Sequence, residues 1–253
     1  MLETNASWSA LTTDIIICRA CPRLVAWREQ VAREKRRAYR DWDYWGRPVP
    51  GFGDPAARLL VVGLAPGAHG SNRTGRMFTG DSSGDTLYTA LHRAGFASQP
   101  ISRHRDDGLT LTHAFITAVG RCAPPDNRPT PEELAACRPF LERELALMPQ
   151  IEVIVALGQI AFEGCLRLLR DHGYQPGQAE AEEVQSDSPH PRSSISRPPK
   201  FGHKLNYLFT RASPVDRKYL LTSYHPSRQN TQTGRLTQAM LDEVFILARS
   251  LLE

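Results

Sequence analysis

The stretch that most constrains this chain is residues 63–81, GLAPGAHGSNRTGRMFTGD. It follows the apolar run Leu59-Leu60-Val61-Val62 and precedes a helical pattern that starts near Ser82. A strand that ends in such a loop and passes into a helix is where an open α/β sheet holds its ligand. Glycine lets the loop turn sharply and lets a ligand approach its backbone. His69, Asn72, Arg73, Arg76, Phe78 and Asp81 crowd polar and aromatic chemistry into the same segment.

Four short apolar runs read as strands: residues 58–65, 114–122, 152–157 and 219–224. Such runs suit a parallel sheet covered on both faces. Helical patterns over 82–94, 131–148, 159–170 and 234–252 lie between or after them. Thr130-Pro131-Glu132-Glu133 is a strong helix start, with a cap, a first-turn proline and acid at the positive dipole end. Strands alternating with helices predict an α/β fold, a three-layer α/β/α sandwich on a short four-stranded parallel sheet.

The 253 residues read as a single domain. An N-terminal segment of about 1–50 leads in, with a polar leader and a short helical or turn pattern over residues 11–17. Residues 23–39 look helical and densely basic; they form either a solvated face or a rim for phosphates. Residues 41–55 form an aromatic, proline- and glycine-rich loop packed by Trp42, Tyr44 and Trp45. Residues 171–214 are rich in Ser, Pro and Arg and read as a mobile surface insertion, with a short strand near Tyr207.

The net charge of +4 is compatible with a polyanionic partner. No apolar run approaches a membrane span, and the N-terminus lacks the pattern of a signal peptide. A cytoplasmic, monomeric protein is expected, with no membrane partner. Five cysteines without a regular framework fit a reducing compartment. Cys18 and Cys21 form a C-x2-C pair, Cys122 ends a strand run and Cys137 lies on the next helix; Cys165 reads as a core thiol. Four such thiols could hold zinc or an iron–sulfur cluster. Zinc ribbons use two close pairs, and the wide second spacing here leans toward iron–sulfur.

Two more loops carry candidate chemistry. Pro124-Pro125-Asp126-Asn127 follows the second strand run, and Asn127 offers an amide to a ligand or a turn. The last run ends in Tyr224-His225-Pro226-Ser227, followed by Arg228 and, further on, Arg235. A histidine at that strand end points into the same crevice as the first loop. No lysine follows the glycines in the phosphate-loop pattern, which argues against a nucleotide-binding enzyme.

GLAPGAHGSNRTGRMFTGD, RCAPPDNRPTPEE, VALG and HPSRQNTQTGRLT, in this order with the four cysteines, resemble the uracil-DNA glycosylase superfamily. Within it, the iron–sulfur branch called family five is most similar. The resemblance implies hydrolysis of the N-glycosidic bond of uracil and other damaged bases in DNA, leaving an abasic site without strand cleavage. A base in a duplex must first be flipped into a pocket. The resemblance makes Phe78 the stacking face, with Gly63, Ala65, Gly67 and His69 lining the base site. It makes His225 the donor to the departing base. Related enzymes place a polar residue early in the first loop to position water, whereas Leu64-Ala65 stand here. Asp81 is therefore the expected catalytic carboxylate, with Asn127 as the second candidate. Arg73, Arg76, Arg228 and Arg235 are expected on DNA phosphates. Cys18, Cys21, Cys122 and Cys137 would hold a 4Fe-4S cluster, with zinc as the alternative. A prokaryotic, nucleoid-associated enzyme is implied. The competing reading is a non-catalytic iron–sulfur or zinc module that binds DNA.

Overall fold

The computed structural model describes residues 2–177, 198–212 and 215–253. Two N-terminal helices, α1 (Leu2–Ile17) and α2 (Pro22–Glu34), precede a short strand, β1 (Phe52–Gly53). Strand β2 (Leu59–Gly63) enters the glycine-rich loop, which contains the one-turn helix α3 (Ser71–Thr74) and delivers the chain to α4 (Ser82–Arg93). Then follow β3 (Ala114–Ala118), α5 (Pro131–Leu147), β4 (Val153–Leu157) and α6 (Gln159–Asp171). Strands β5 (Gln175–Pro176), β6 (Asn206–Ala212) and β7 (Val215–Ser223) lead to α7 (Arg228–Gln232) and α8 (Gln238–Ser250).

The sheet order is β1-β3-β2-β4-β7-β6-β5. Strands β3, β2, β4 and β7 run parallel, in the register Leu59↔Ala114 and Leu59↔Val153, with Val153↔Tyr219. The expected four-stranded sheet is thus corrected to seven strands among the described residues: β1 adds antiparallel to β3, and β6 and β5 extend the other edge antiparallel. The added strands lack the continuous apolar runs of the centre. β1 and β5 have two residues each, and most of β6 is not buried.

Strand alternation builds the two cores, because successive side chains leave opposite faces. Leu59 and Val61 pack with Leu87 and Leu91 of α4 and with Leu241 and Phe245 of α8. Leu60 and Val62 pack with Leu141 and Leu145 of α5 and with Phe162 and Leu168 of α6. Cys165 is buried in this second layer, as expected, and burial pushes its thiol up to about 12. Thr130 and Glu133 close a reciprocal capping box on α5.

Three local expectations change. The leader is a 16-residue helix, α1, which packs on α5 through Asp14 and Arg143, 2.8 Å apart. The basic helix stops at Glu34, where Lys35 adopts φ 55°. Of the surface insertion expected over 171–214, the flanks Gln175–Pro176 and Asn206–Ala212 are strands of the sheet. Residues 178–197, 213 and 214 of that insertion lie outside the described residues. No helix among the described residues is long and apolar enough to cross a membrane.

Candidate active site

The C-terminal ends of the parallel strands share one edge, and the loops that leave it face one crevice. From β2 comes the glycine-rich loop. Phe78 sits in it at φ 51° and is 8% exposed, part of the first core layer. Its ring lies on Gly63: a Cβ there would come within 2.7 Å of Phe78 Cζ. Glycine is therefore required at Gly63 by close approach of the ring.

Asp81 caps α4 and accepts the Gly84 backbone N–H at 3.1 Å. Its second oxygen lies against Gly70 and Gly67; a Cβ on Gly67 would stand 3.0 Å from it, and one on Gly70 would collide with it. Burial pushes the Asp81 carboxyl above its ordinary range, against the backbone N–H groups of Gly84 and Ser83, which lower it; Asp85 adds to the rise and Arg73 opposes it. Asp81 therefore holds a helix cap and also aims carboxylate oxygen at the loop backbone.

His225 arrives from β7. Its ring stacks on Phe78, with centroids 5.8 Å apart and planes inclined by 29°. Burial pushes its imidazole down to about 4, so the ring is neutral at pH 7. The loop around it is fixed from both sides. Asn230 Nδ2 donates to the His225 carbonyl at 2.8 Å, and Gly158, at φ 94°, leaves His225 Cβ only the room a missing side chain provides. A neutral, preorganised N–H beside an aromatic face can stabilise negative charge on a departing base.

His69 is half-buried, and its Nδ1 meets the Tyr44 hydroxyl at 3.1 Å. Burial lowers its pKa, with help from Arg36 and Arg73. Ala65 is half-buried; its Cβ would stand 3.4 Å from a Cβ on Gly120 in the loop after β3. Asn127 is exposed at φ 55° in a 3-10 turn, and among the described residues it bonds neither Asp81 nor His225.

Two expected phosphate contacts are corrected. Arg73 is 3% exposed: Nε donates to the His69 carbonyl at 2.8 Å, Nη2 to the Gly80 carbonyl at 2.7 Å, and the guanidinium lies between Tyr39 and Trp42. Arg76 is 4% exposed and donates to Asp107 at 2.7 Å and Ser102 at 2.8 Å. Both are inward struts that shape the loop, and buried guanidiniums cannot reach a phosphate. Arg228 and Arg235 are exposed beside His225, with Arg235 over the Tyr224 ring at 4.6 Å.

A family model of the Uracil DNA glycosylase superfamily matches residues 50–248. The chain belongs to the Uracil DNA glycosylase superfamily. Among curated relatives, a type-5 uracil-DNA glycosylase of Thermus thermophilus is 51% identical over 242 residues, covering 96% of this chain and 97% of the relative. One from Mycobacterium leprae is 50% identical over 243 residues, covering 95% and 94%. One from Pyrobaculum aerophilum is 41% identical over 246 residues, covering 96% and 93%. Every site residue described so far, from Gly63 to Arg235, falls inside the segment that matches the superfamily; Cys18 and Cys21 precede it.

Cys21 precedes α2, Cys122 lies in the loop after β3 and Cys137 is on α5; Cys18 and Cys137 are near enough to Cys21 and Cys122 to act on their thiols. Burial raises the Cys21 thiol, and Cys137 and Cys18 raise it further. Burial pushes Cys122 up to about 12; Arg28 opposes this, while Cys137 and Cys18 add to it. Arg28, 2% exposed, donates from Nη1 to Cys122 Sγ at 2.9 Å. An all-thiol donor set with a buried cation in contact suits a thiolate-bound group in its chemistry. Among the described residues, no group of three or more His, Cys, Asp or Glu side chains is arranged to hold a metal ion.

Proposed function

We propose that this chain is a monofunctional uracil-DNA glycosylase that acts on uracil and other damaged bases in DNA and leaves an abasic site. The observation that carries this is the Phe78–His225 stack at the mouth shared by β2 and β7, inside the segment that matches the superfamily. Names of relatives alone would leave the chemistry unassigned.

In the reaction, the flipped base rests against the Phe78 edge of the site. The N-glycosidic bond breaks with its electron pair moving to the base, and the sugar becomes oxocarbenium-like. Neutral His225 donates a hydrogen bond to the base carbonyl where that charge grows. Asp81 faces the developing positive sugar and takes the proton of the attacking water. Leu64 and Ala65 offer no side-chain amide for that water, which leaves Asp81 the carboxylate of the loop best held for it. A pocket without a polar discriminator at this point supports a broad lesion range. Arg228 and Arg235 contact the DNA backbone.

Cys18, Cys21, Cys122 and Cys137 would hold a 4Fe-4S cluster. The cluster's contribution would be structural, fastening α1 and α2 to the sheet. Iron and sulfide assay with a visible spectrum tests this; stoichiometric zinc without brown colour would discard it.

The function is tested with oligonucleotides that carry uracil, hydroxymethyluracil, ethenocytosine or hypoxanthine, followed by alkaline cleavage at abasic sites. Excision of uracil and at least one bulkier lesion is expected. Binding of DNA with excision of none would return the reading to a non-catalytic DNA-binding module.

A further inference from the structure

An open groove of about 450 Å³ lies between the end of α1, one face of α2 and residues 44–47. Its charged lining is Arg19, Arg28, Arg33 and Arg47 against the single acid Glu29. That acid is already neutralised, because Arg19 sits 2.6 Å and Arg28 3.9 Å from the same oxygen of it. Arg33 and Arg47 are exposed, and among the described residues neither joins an ion pair. Arg47 lies over the Trp45 ring at 5.6 Å, and Trp45 Nε1 is tied to the Pro48 carbonyl at 3.0 Å, so this cation rests on a fixed platform. Arg28 is 2% exposed, and its Nε is buried without a partner although both Nη groups are engaged.

The groove is joined to the glycine-rich loop by backbone. Trp45 N–H donates to the Arg73 carbonyl at 2.9 Å and Gly46 N–H to the Asn72 carbonyl at 3.0 Å. Tyr44, also in the lining, meets His69 at 3.1 Å. The wall of the groove is thus the back of the segment that shapes the base site. Two exposed guanidiniums outside any ion pair among the described residues, one of them resting on a fixed indole, beside an acid already paired by Arg19, are suited to phosphate oxygens.

The geometry points to this groove as a second anchoring site for DNA, holding phosphodiesters of the strand away from the flipped nucleotide through Arg33 and Arg47. This rests on the glycosylase reading of the Phe78–His225 site. It gives the basic face of α2 a ligand, and it makes DNA contact on both sides of the residue 71–74 turn.

The test is equilibrium binding to a duplex with one 2′-fluoro-2′-deoxyuridine, a nucleotide that resists glycosidic cleavage, titrated from about 50 to 200 mM salt. The variant R33Q/R47Q should lower the slope of log K against log salt by about two, as two phosphate contacts are lost. R33K/R47K keeps the charge and should keep most of the slope. Single-turnover excision at saturating enzyme should be unchanged in both. A wild-type slope retained by R33Q/R47Q overturns the groove while leaving the glycosylase reading intact. Wild-type protein that binds no DNA overturns both.

Discussion

Phe78 and His225, from opposite ends of the chain, stack with ring centroids 5.8 Å apart. The contact joins the loop after β2 to the loop after β7 and places an aromatic face beside a neutral hydrogen-bond donor. Local backbone fixes both partners: Phe78 is held at φ 51° against Gly63, and the His225 carbonyl is held by Asn230.

His225→Ala should slow single-turnover uracil excision by roughly 100- to 1000-fold, the scale of one lost oxyanion donor. Affinity for uracil-containing DNA should change little. Wild-type excision by the variant would remove His225 from the chemistry.

The pH behaviour follows from a pKa near 4. Across pH 5 to 8 the ring stays neutral, so the excision rate should show no inflection from this group near 6.5, where a free histidine titrates. The unfolded chain takes up a proton below about 6.5 while the native ring does not until about 4, so stability falls with pH through that window, by roughly 3 kcal/mol at its end. Urea unfolding at several pH values should show this loss in the wild type and its absence in His225→Asn.

Asp81 separates a cap from a catalyst. Asp81→Asn keeps an oxygen for the Gly84 N–H and should alter stability by a few tenths of a kcal/mol, while Asp81→Ala should cost about 1 kcal/mol. Both should reduce excision by roughly 100-fold or more if the carboxylate takes the water's proton. Full excision by Asp81→Asn would leave the residue a cap alone.

The arginines divide by burial. Arg76→Ala removes the guanidinium partner of the half-buried Asp107 carboxylate, which keeps the Arg103 and Leu109 backbone N–H groups, and should cost about 1.5–3 kcal/mol in chemical denaturation. Arg228→Ala or Arg235→Ala should leave stability alone and lower the salt slope of DNA binding by about one each. An unchanged slope would turn those two side chains away from DNA.

Much of this was legible in the sequence. The continuous apolar runs marked the four parallel strands, and Thr130-Pro131-Glu132-Glu133 marked the start of α5. Asp81 was legible as the carboxylate that closes the loop, and the structure adds that it caps α4 with one oxygen and sets the other against the glycines. The edge strands β1, β5 and β6 were not legible as a sheet extension, because two-residue pairings and half-exposed strands carry no strong period. Helix α1 was hidden by its weak amphipathicity; its anchor is packing on α5.

By itself the sequence determined the local chemistry: where strands stop, where glycine lets a loop turn, and which side chains that loop carries. Those properties depend on neighbours along the chain. Tertiary structure decided which arginines work inward, since Arg73 and Arg76 look like Arg228 and Arg235 until Tyr39, Trp42 and Asp107 close around the first two. It also decided that Phe78 meets His225 and that Arg28 reaches Cys122. Burial and contact between distant segments are set by how the layers pack, and no periodicity within one segment encodes them.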